Sequence, residues 1–374
     1  MKRVTRFLPD SIWALPIGAA IALAWANLLP ESYYRVAYTT RFVVNDVGLA
    51  FFLGLIMKEV FEATLPGGSL HTWRHVALPL AASLGGAGAS VAVFLLYLYT
   101  VGDRMLTPAW ITPCAVDIAS VYVVGRLIFG RHAGVSFLLI LAIGMNTIGL
   151  VALAVWGPVD DAHAASGIGL MALALATAFV LRRTRVTSFW WYLLGPGVLS
   201  WWALYLSGVQ PALALMPIIP FMPHRHRDVG LFVDAAPQTH DTLTLFERWW
   251  ARPVEGILLL FGLVNAGVPL HGFEEGSWAV PVAALVGRPI GILLASALAV
   301  GAGLHLPQHL RWPDIAVIGC ISSIGLVMAL FFASATMATG PLLEELKAGA
   351  LLTAVGAVVA VGAARILRVG RFTR

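Results

Sequence analysis

The chain has 374 residues, 59% of them hydrophobic and 11% charged, with a formal net charge of +5 and a mean hydropathy of +0.85. Ordinary soluble domains carry roughly 25% charged residues, so this composition excludes a water-soluble enzyme or binding module and describes a chain solvated mainly by lipid. The basic excess fits a membrane-surface face; it implies the bilayer as partner and no nucleic acid.

In chain order, apolar runs close to the length that crosses a hydrocarbon core about 30 Å thick recur along the chain. They lie at 11–29, 42–63, 76–101, 109–128, 135–156, 167–181, 188–206, 209–222, 253–268, 278–300, 315–338 and 346–367. Each reads as a helix, because a lipid-exposed backbone must satisfy its own hydrogen bonds. The expectation is an all-α polytopic membrane protein of twelve spans, a single integral membrane domain over 1–374. The long polar stretch 224–249 reads as a cytoplasmic linker between helices 8 and 9.

An even number of spans puts both termini on one side. Lys2, Arg3, Arg6, the Arg182-Arg183-Thr-Arg185 tract, His224-Arg-His-Arg227 and the carboxyl-terminal arginines 365, 368, 371 and 374 share that side. Asp160, Asp161, Glu274 and Glu275 fall on the other. Positive residues stay cytoplasmic, so both ends are expected inside, in a bacterial inner membrane, with the first span uncleaved.

Two charges lie deep. Asp117 sits in the otherwise uncharged Ile111-Thr-Pro-Cys-Ala-Val-Asp-Ile-Ala-Ser120, and Arg288 in Val286-Gly-Arg-Pro-Ile290. A charge at the bilayer centre costs about 3 kcal/mol on insertion scales, so such residues mark a functional cavity or a partner. Two runs are also imperfect helices: Pro108 and Pro113 interrupt the fourth, and Gly319-Cys-Ile-Ser-Ser-Ile-Gly325 concentrates small and hydroxyl residues in the eleventh. Interrupted spans in two halves of a chain point to a transporter with internal repeats and substrate held at the breaks. A proline kink beside a small-residue helix contact is the alternative, and sequence alone leaves both open.

Catalytic chemistry finds little support. The pairs His71/His75, His224/His226 and His305/His309 lie at span ends or in connections without a third ligand, and no phosphate-binding Gly-Lys-Ser/Thr signature is present. Cys114 and Cys320 fall inside spans and read as reduced packing residues. No enzyme activity and no cofactor are expected.

Five ordered stretches carry a resemblance. Val44-Asn-Asp-Val-Gly-Leu-Ala-Phe-Phe-Leu53, the Ala-Val-Asp-Ile-Ala run around Asp117, Asn265-Ala-Gly-Val268, Gly287-Arg-Pro-Ile-Gly291 and Ile324-Gly-Leu-Val-Met328 resemble signature stretches of the bacterial NhaA-type sodium/proton antiporters. The resemblance spans nearly the whole chain. It implies twelve helices in inverted repeats, two crossed discontinuous helices whose breaks fall at Pro113 and at Gly319, Ser322, Ser323 and Gly325, and exchange of protons for sodium or another monovalent cation. It also implies a homodimer, and for Glu59, at the end of the second span, a part in pH response.

Carried over residue by residue, Asp117 matches the acidic residue of the first broken helix and Arg288 stands where the resemblance implies a lysine. Where it implies adjacent aspartates in the fifth span, this chain has Asn146 and Thr147. Their oxygens are neutral acceptors that do not titrate usefully, although hard cations accept amide and hydroxyl oxygens. Ion or proton binding is therefore expected at Asp117, Asn146, Thr147 and Arg288, with sodium at the first three and Arg288 as the charged companion of Asp117.

Three readings follow. The chain is a divergent cation/proton antiporter run by Asp117, a carrier of the same fold with a changed, anionic substrate, or a non-transporting sensor or structural subunit in which Asp117 and Arg288 form a buried pair.

Overall fold

The computed structural model describes residues 7–64, 73–101, 103–130, 133–156, 164–224, 241–269, 274–307 and 310–372. The amino-terminal basic residues, Asp160, Asp161 and most of 224–249 lie outside the described residues. The helices are α1 (Phe7–Leu28), α2 (Pro30–Arg41), α3 (Leu49–Thr64), α4 (Trp73–Val101), α5 (Ile118–Phe129), α6 (Ala133–Trp156), α7 (Ala164–Arg183), α8 (Phe189–Tyr192) and α9 (Val198–Leu206). They continue as α10 (Thr242–Asn265), α11 (Ala279–Val282), α12 (Arg288–Gly301), α13 (Trp312–Ser322), α14 (Leu326–Thr336), α15 (Pro341–Leu352) and α16 (Gly356–Ile366). Three π-helical turns, Phe42–Gly48, Leu193–Gly197 and Ala283–Gly287, join α2 to α3, α8 to α9 and α11 to α12.

Among the described residues, seven helical runs are long and apolar enough to cross a membrane, and the pair α13 and α14, bent by 51°, makes an eighth. One expected span is not a helix. Residues 209–222 form turns and two short 3₁₀ elements, Pro211–Leu213 and Ile219–Phe221. The cause is local: Pro211, Pro217 and Pro220 each remove a backbone donor, and Pro211 holds Gln210 outside the helical region at ψ 112°, effects hydropathy does not register.

The chain forms two compact units. The first comprises 1–22, 29–71 and 154–264. Within it Phe51 stacks on Trp250 with ring centroids 3.6 Å apart, and α1 meets α10 where a Cβ on Gly18 would lie 2.2 Å from the Leu259 carbonyl oxygen.

The second unit comprises 23–28, 72–153 and 265–374. Its two long stretches follow one pattern, an unbroken helical run, a broken run and a further helical run. In the first these are α4, the interrupted segment ending in α5, and α6; in the second α11 with α12, then α13 with α14, then α15 with α16. Its core packs Phe94 and Leu98 of α4 on Leu106, Ala109, Ala279, Val280, Leu343 and Leu346. Helices α4 and α12 approach so closely that a Cβ on Gly85 would meet the Gly291 carbonyl oxygen at 2.6 Å. Small residues drive such contacts in lipid, where no hydrophobic force brings helices together. Helix α12 is thereby fixed, and Arg288 is its first residue.

Candidate functional site

The first break is built by proline. Pro108 and Pro113 confine 104–114 to 3₁₀ turns, Arg104–Ala109 and Thr112–Cys114. The chain then runs extended, with Ala115 at φ −63°, ψ 130° and Asp117 at φ −82°, ψ 96°, before α5 begins at Ile118. The second break is Ser323, Ile324 and Gly325, between α13 and α14.

The two breaks are bonded to each other. The Asp117 amide donates to the Ile324 carbonyl at 2.8 Å. A side chain on Gly325 would lie 2.7 Å from the Ala115 carbonyl oxygen, so only glycine permits this approach of two backbones. The Gly325 amide donates to Thr353 Oγ1 at 3.2 Å. Every bond made here replaces one that a continuous helix would have made, which is the condition for irregular backbone at membrane depth.

Asn146 holds the first break from α6. Its Oδ1 accepts from the Val116 amide at 2.9 Å and its Nδ2 donates to the Val116 carbonyl at 2.7 Å, a two-way clamp on one extended residue. The Thr147 hydroxyl donates to Ile143 within α6, and the Ser83 hydroxyl donates to Leu141, tying α4 to the same helix. An amide clamps in this way at any pH, as a protonated carboxylic acid would. In Asn146→Asp the ionised carboxylate still accepts from the Val116 amide but faces its carbonyl without a proton to donate. The variant is expected to stay within about 0.5 kcal/mol of the parent at pH 4, where the unfolded carboxyl is still half protonated, and to fall about 2 kcal/mol behind it by pH 8. Parallel unfolding curves at both pH values check this.

The deep charges occupy helix ends. Asp117, 5% exposed, is the N-cap of α5. Its Oδ1 accepts from the Ala119 amide at 3.2 Å and its Oδ2 from the Ser120 hydroxyl at 2.8 Å. Arg288, 1% exposed, donates from Nη1 to the Ser322 carbonyl and from Nη2 to the Pro113 carbonyl. Those carbonyls close α13 and the 3₁₀ turn before the first break, so one cation serves two negative helix ends while one anion serves a positive end.

The expected companionship of Asp117 with Arg288 is therefore not formed. Among the described residues the ion pairs do not join them. Carbonyls left over by the two breaks claim the guanidinium first, with Arg288 Nε buried and unbonded. The Ser322 hydroxyl donates to Gly319 and that of Ser323 to Ala284, so both serines stitch backbone.

Glu59 lies in the first unit, in a charged cluster around Lys58. Lys58 is 3% exposed and reaches Glu59 at 2.9 Å, Glu62 at 2.9 Å and Glu247 of α10 at 2.7 Å. The i,i+4 spacing of Lys58 and Glu62 was readable in sequence; Glu247 was not, being far along the chain. The Asn146 clamp was also missed, and its only signal was an amide alone in an apolar helix.

The profile of the family described as Na+/H+ antiporter 1 matches residues 11–365. Full-length relatives agree. The chain is 39% identical to the Na(+)/H(+) antiporter NhaA of Desulfitobacterium hafniense, over 98% of this chain and 96% of that protein. It is 37% identical to that of Geobacter metallireducens, over 99% and 100%, and 36% identical to that of Jannaschia sp., over 99% of each. A bent, paired crossing with a buried carboxylate at one helix end and profile and relatives that agree along the whole length leave one assignment: the chain is a transporter, not an enzyme, and belongs to the Na+/H+ antiporter 1 family.

Proposed function

We propose that the chain exchanges sodium, or another monovalent cation, for protons across the bacterial inner membrane, with Asp117 as the group that holds one or the other. The observation that carries this is the buried Asp117 carboxylate at the crossing of the two breaks, bonded by donors and, among the described residues, in no ion pair. A group that binds either a proton or a cation through the same lone pairs couples the two fluxes by competition. Asn146 Oδ1, which keeps a lone pair beyond its bond to Val116, and the Thr147 hydroxyl oxygen are the neutral ligands of the same site. Arg288 supports the crossing and does not bind the substrate. On this reading both termini are cytoplasmic, and Glu59 acts in pH response through its bond to Lys58.

One carboxylate alternating between one proton and one monovalent cation moves no net charge. Exchange in proteoliposomes is therefore expected to be electroneutral, with sodium-driven proton flux unchanged when valinomycin and a potassium gradient impose a potential. A rate that climbs steeply with the imposed potential would require a second titrating group and defeat the single-carboxylate scheme.

A further inference from the structure

A cavity of about 250 Å³ lies within the first unit, walled by apolar residues that include Val47, Ala50, Gly197, Val198 and Leu215. Two of its walls are π-helical, since Val47 belongs to Phe42–Gly48 and Gly197 to Leu193–Gly197. A π turn inserts an extra residue that re-aims its neighbours, and such turns are frequent at functional sites.

Aromatic side chains set its depth. Trp201 also lines the cavity, stacks on Tyr205 at 5.3 Å and receives the edge of Phe42 at 5.9 Å. Its indole N–H donates to the Asp46 carbonyl at 2.8 Å, and the Gln210 amide donates to the Asp46 carboxylate at 3.0 Å. Amphipathic aromatic collars of this kind lie at the headgroup boundary. The cavity therefore sits just inside it, at the level of the lipid chains. At its mouth the lining residues Val198 and Val47 are 51% and 37% exposed, and beside them Leu194 and Val43 are 66% and 62% exposed. Arg41 closes α2 on the headgroup side of Phe42, where lipid phosphates lie and a cation complements them.

We propose that this cavity binds one acyl chain of an anionic membrane phospholipid, with the lipid phosphate beside Arg41. An apolar cavity of this lining excludes water, and a hydrocarbon chain is the apolar guest that the bilayer presents at its mouth. Chain methylenes supply the dispersion contacts that the walls otherwise forgo.

The test is photolabelling of the full chain in vesicles of phosphatidylglycerol and phosphatidylethanolamine containing a trace of phosphatidylglycerol with a mid-chain diazirine. Adducts are expected on Ala214 and Leu215, which line the cavity and are 1% and 5% exposed, as well as on exposed Leu194. Ala50→Phe, which fills the cavity, and Val198→Trp, which obstructs the mouth at an exposed position, are each expected to abolish the Leu215 adduct and leave that on Leu194. Arg41→Gln is expected to weaken the Leu215 adduct alone. Adducts confined to exposed residues, or a Leu215 adduct that survives both cavity variants, would overturn the assignment. So would a disulfide between two copies of a Val198→Cys variant in the same vesicles, which would give this face to a second copy of the chain.

Discussion

Asp117→Asn is expected to abolish cation/proton exchange while leaving the protein folded. Asparagine is as good an N-cap as aspartate, so the amides of Ala119 and Ser120 keep an acceptor and stability is expected to change by no more than about 1 kcal/mol. What disappears is the charge and the titration. Two unit charges 4 Å apart attract by about 4 kcal/mol at an effective dielectric of about 20. With each 1.4 kcal/mol worth a factor of ten, the variant is expected to lose roughly 1,000-fold in cation affinity. It is also expected to release no protons when sodium or lithium is added to everted vesicles. Purified Asp117→Asn should show the thermal transition of the parent but none of its sodium-dependent stabilisation. Undiminished exchange in this variant would remove Asp117 from the mechanism, and a protein that fails to fold would make the carboxylate architectural.

The membrane class, the two broken runs and the deep carboxylate were all legible in the sequence because lipid is an unforgiving solvent. Charges and prolines inside apolar runs are costly there, so Asp117, Arg288 and Pro113 announce themselves without any structure. The span expected at 209–222 failed for the opposite reason: hydropathy measures solvent preference, while Pro211, Pro217 and Pro220 act on backbone geometry. Partners were harder to read than positions. Arg288 was expected beside Asp117 because opposite charges attract, yet the Ser322 and Pro113 carbonyls that hold it exist as acceptors only because two helices stop there. Asn146 was read by what its oxygen can ligate. Its bonds to Val116 depend on an extended backbone that α6 does not encode. Lys58 is buried because α10 brings Glu247 against it, a contact between residues far apart in the chain.

Arg288 carries the second large effect, which falls on stability. In Arg288→Met the Ser322 and Pro113 carbonyls lose their donor at positions no other described side chain serves. Each buried acceptor left unsatisfied costs about 1 to 3 kcal/mol, and the two helix ends lose their counter-charge as well, so a destabilisation of about 3 to 5 kcal/mol is expected. Arg288→Lys is expected to fall between parent and Arg288→Met, since an ammonium keeps the charge but gives up the planar fork that spans two carbonyls. Denaturant unfolding in detergent orders the three proteins. The double variant Asp117→Asn with Arg288→Met then separates two architectures. Were the charges a mutual pair, removing both would cost far less than the two single losses combined, because neither partner would be left alone. Here each serves a different helix end, so the greater part of both losses is expected to persist in the double variant, with a coupling smaller than that of a direct ion pair. Exchange in the double variant should then match that of Asp117→Asn, with Arg288 holding the crossing in place and Asp117 doing the chemistry on it.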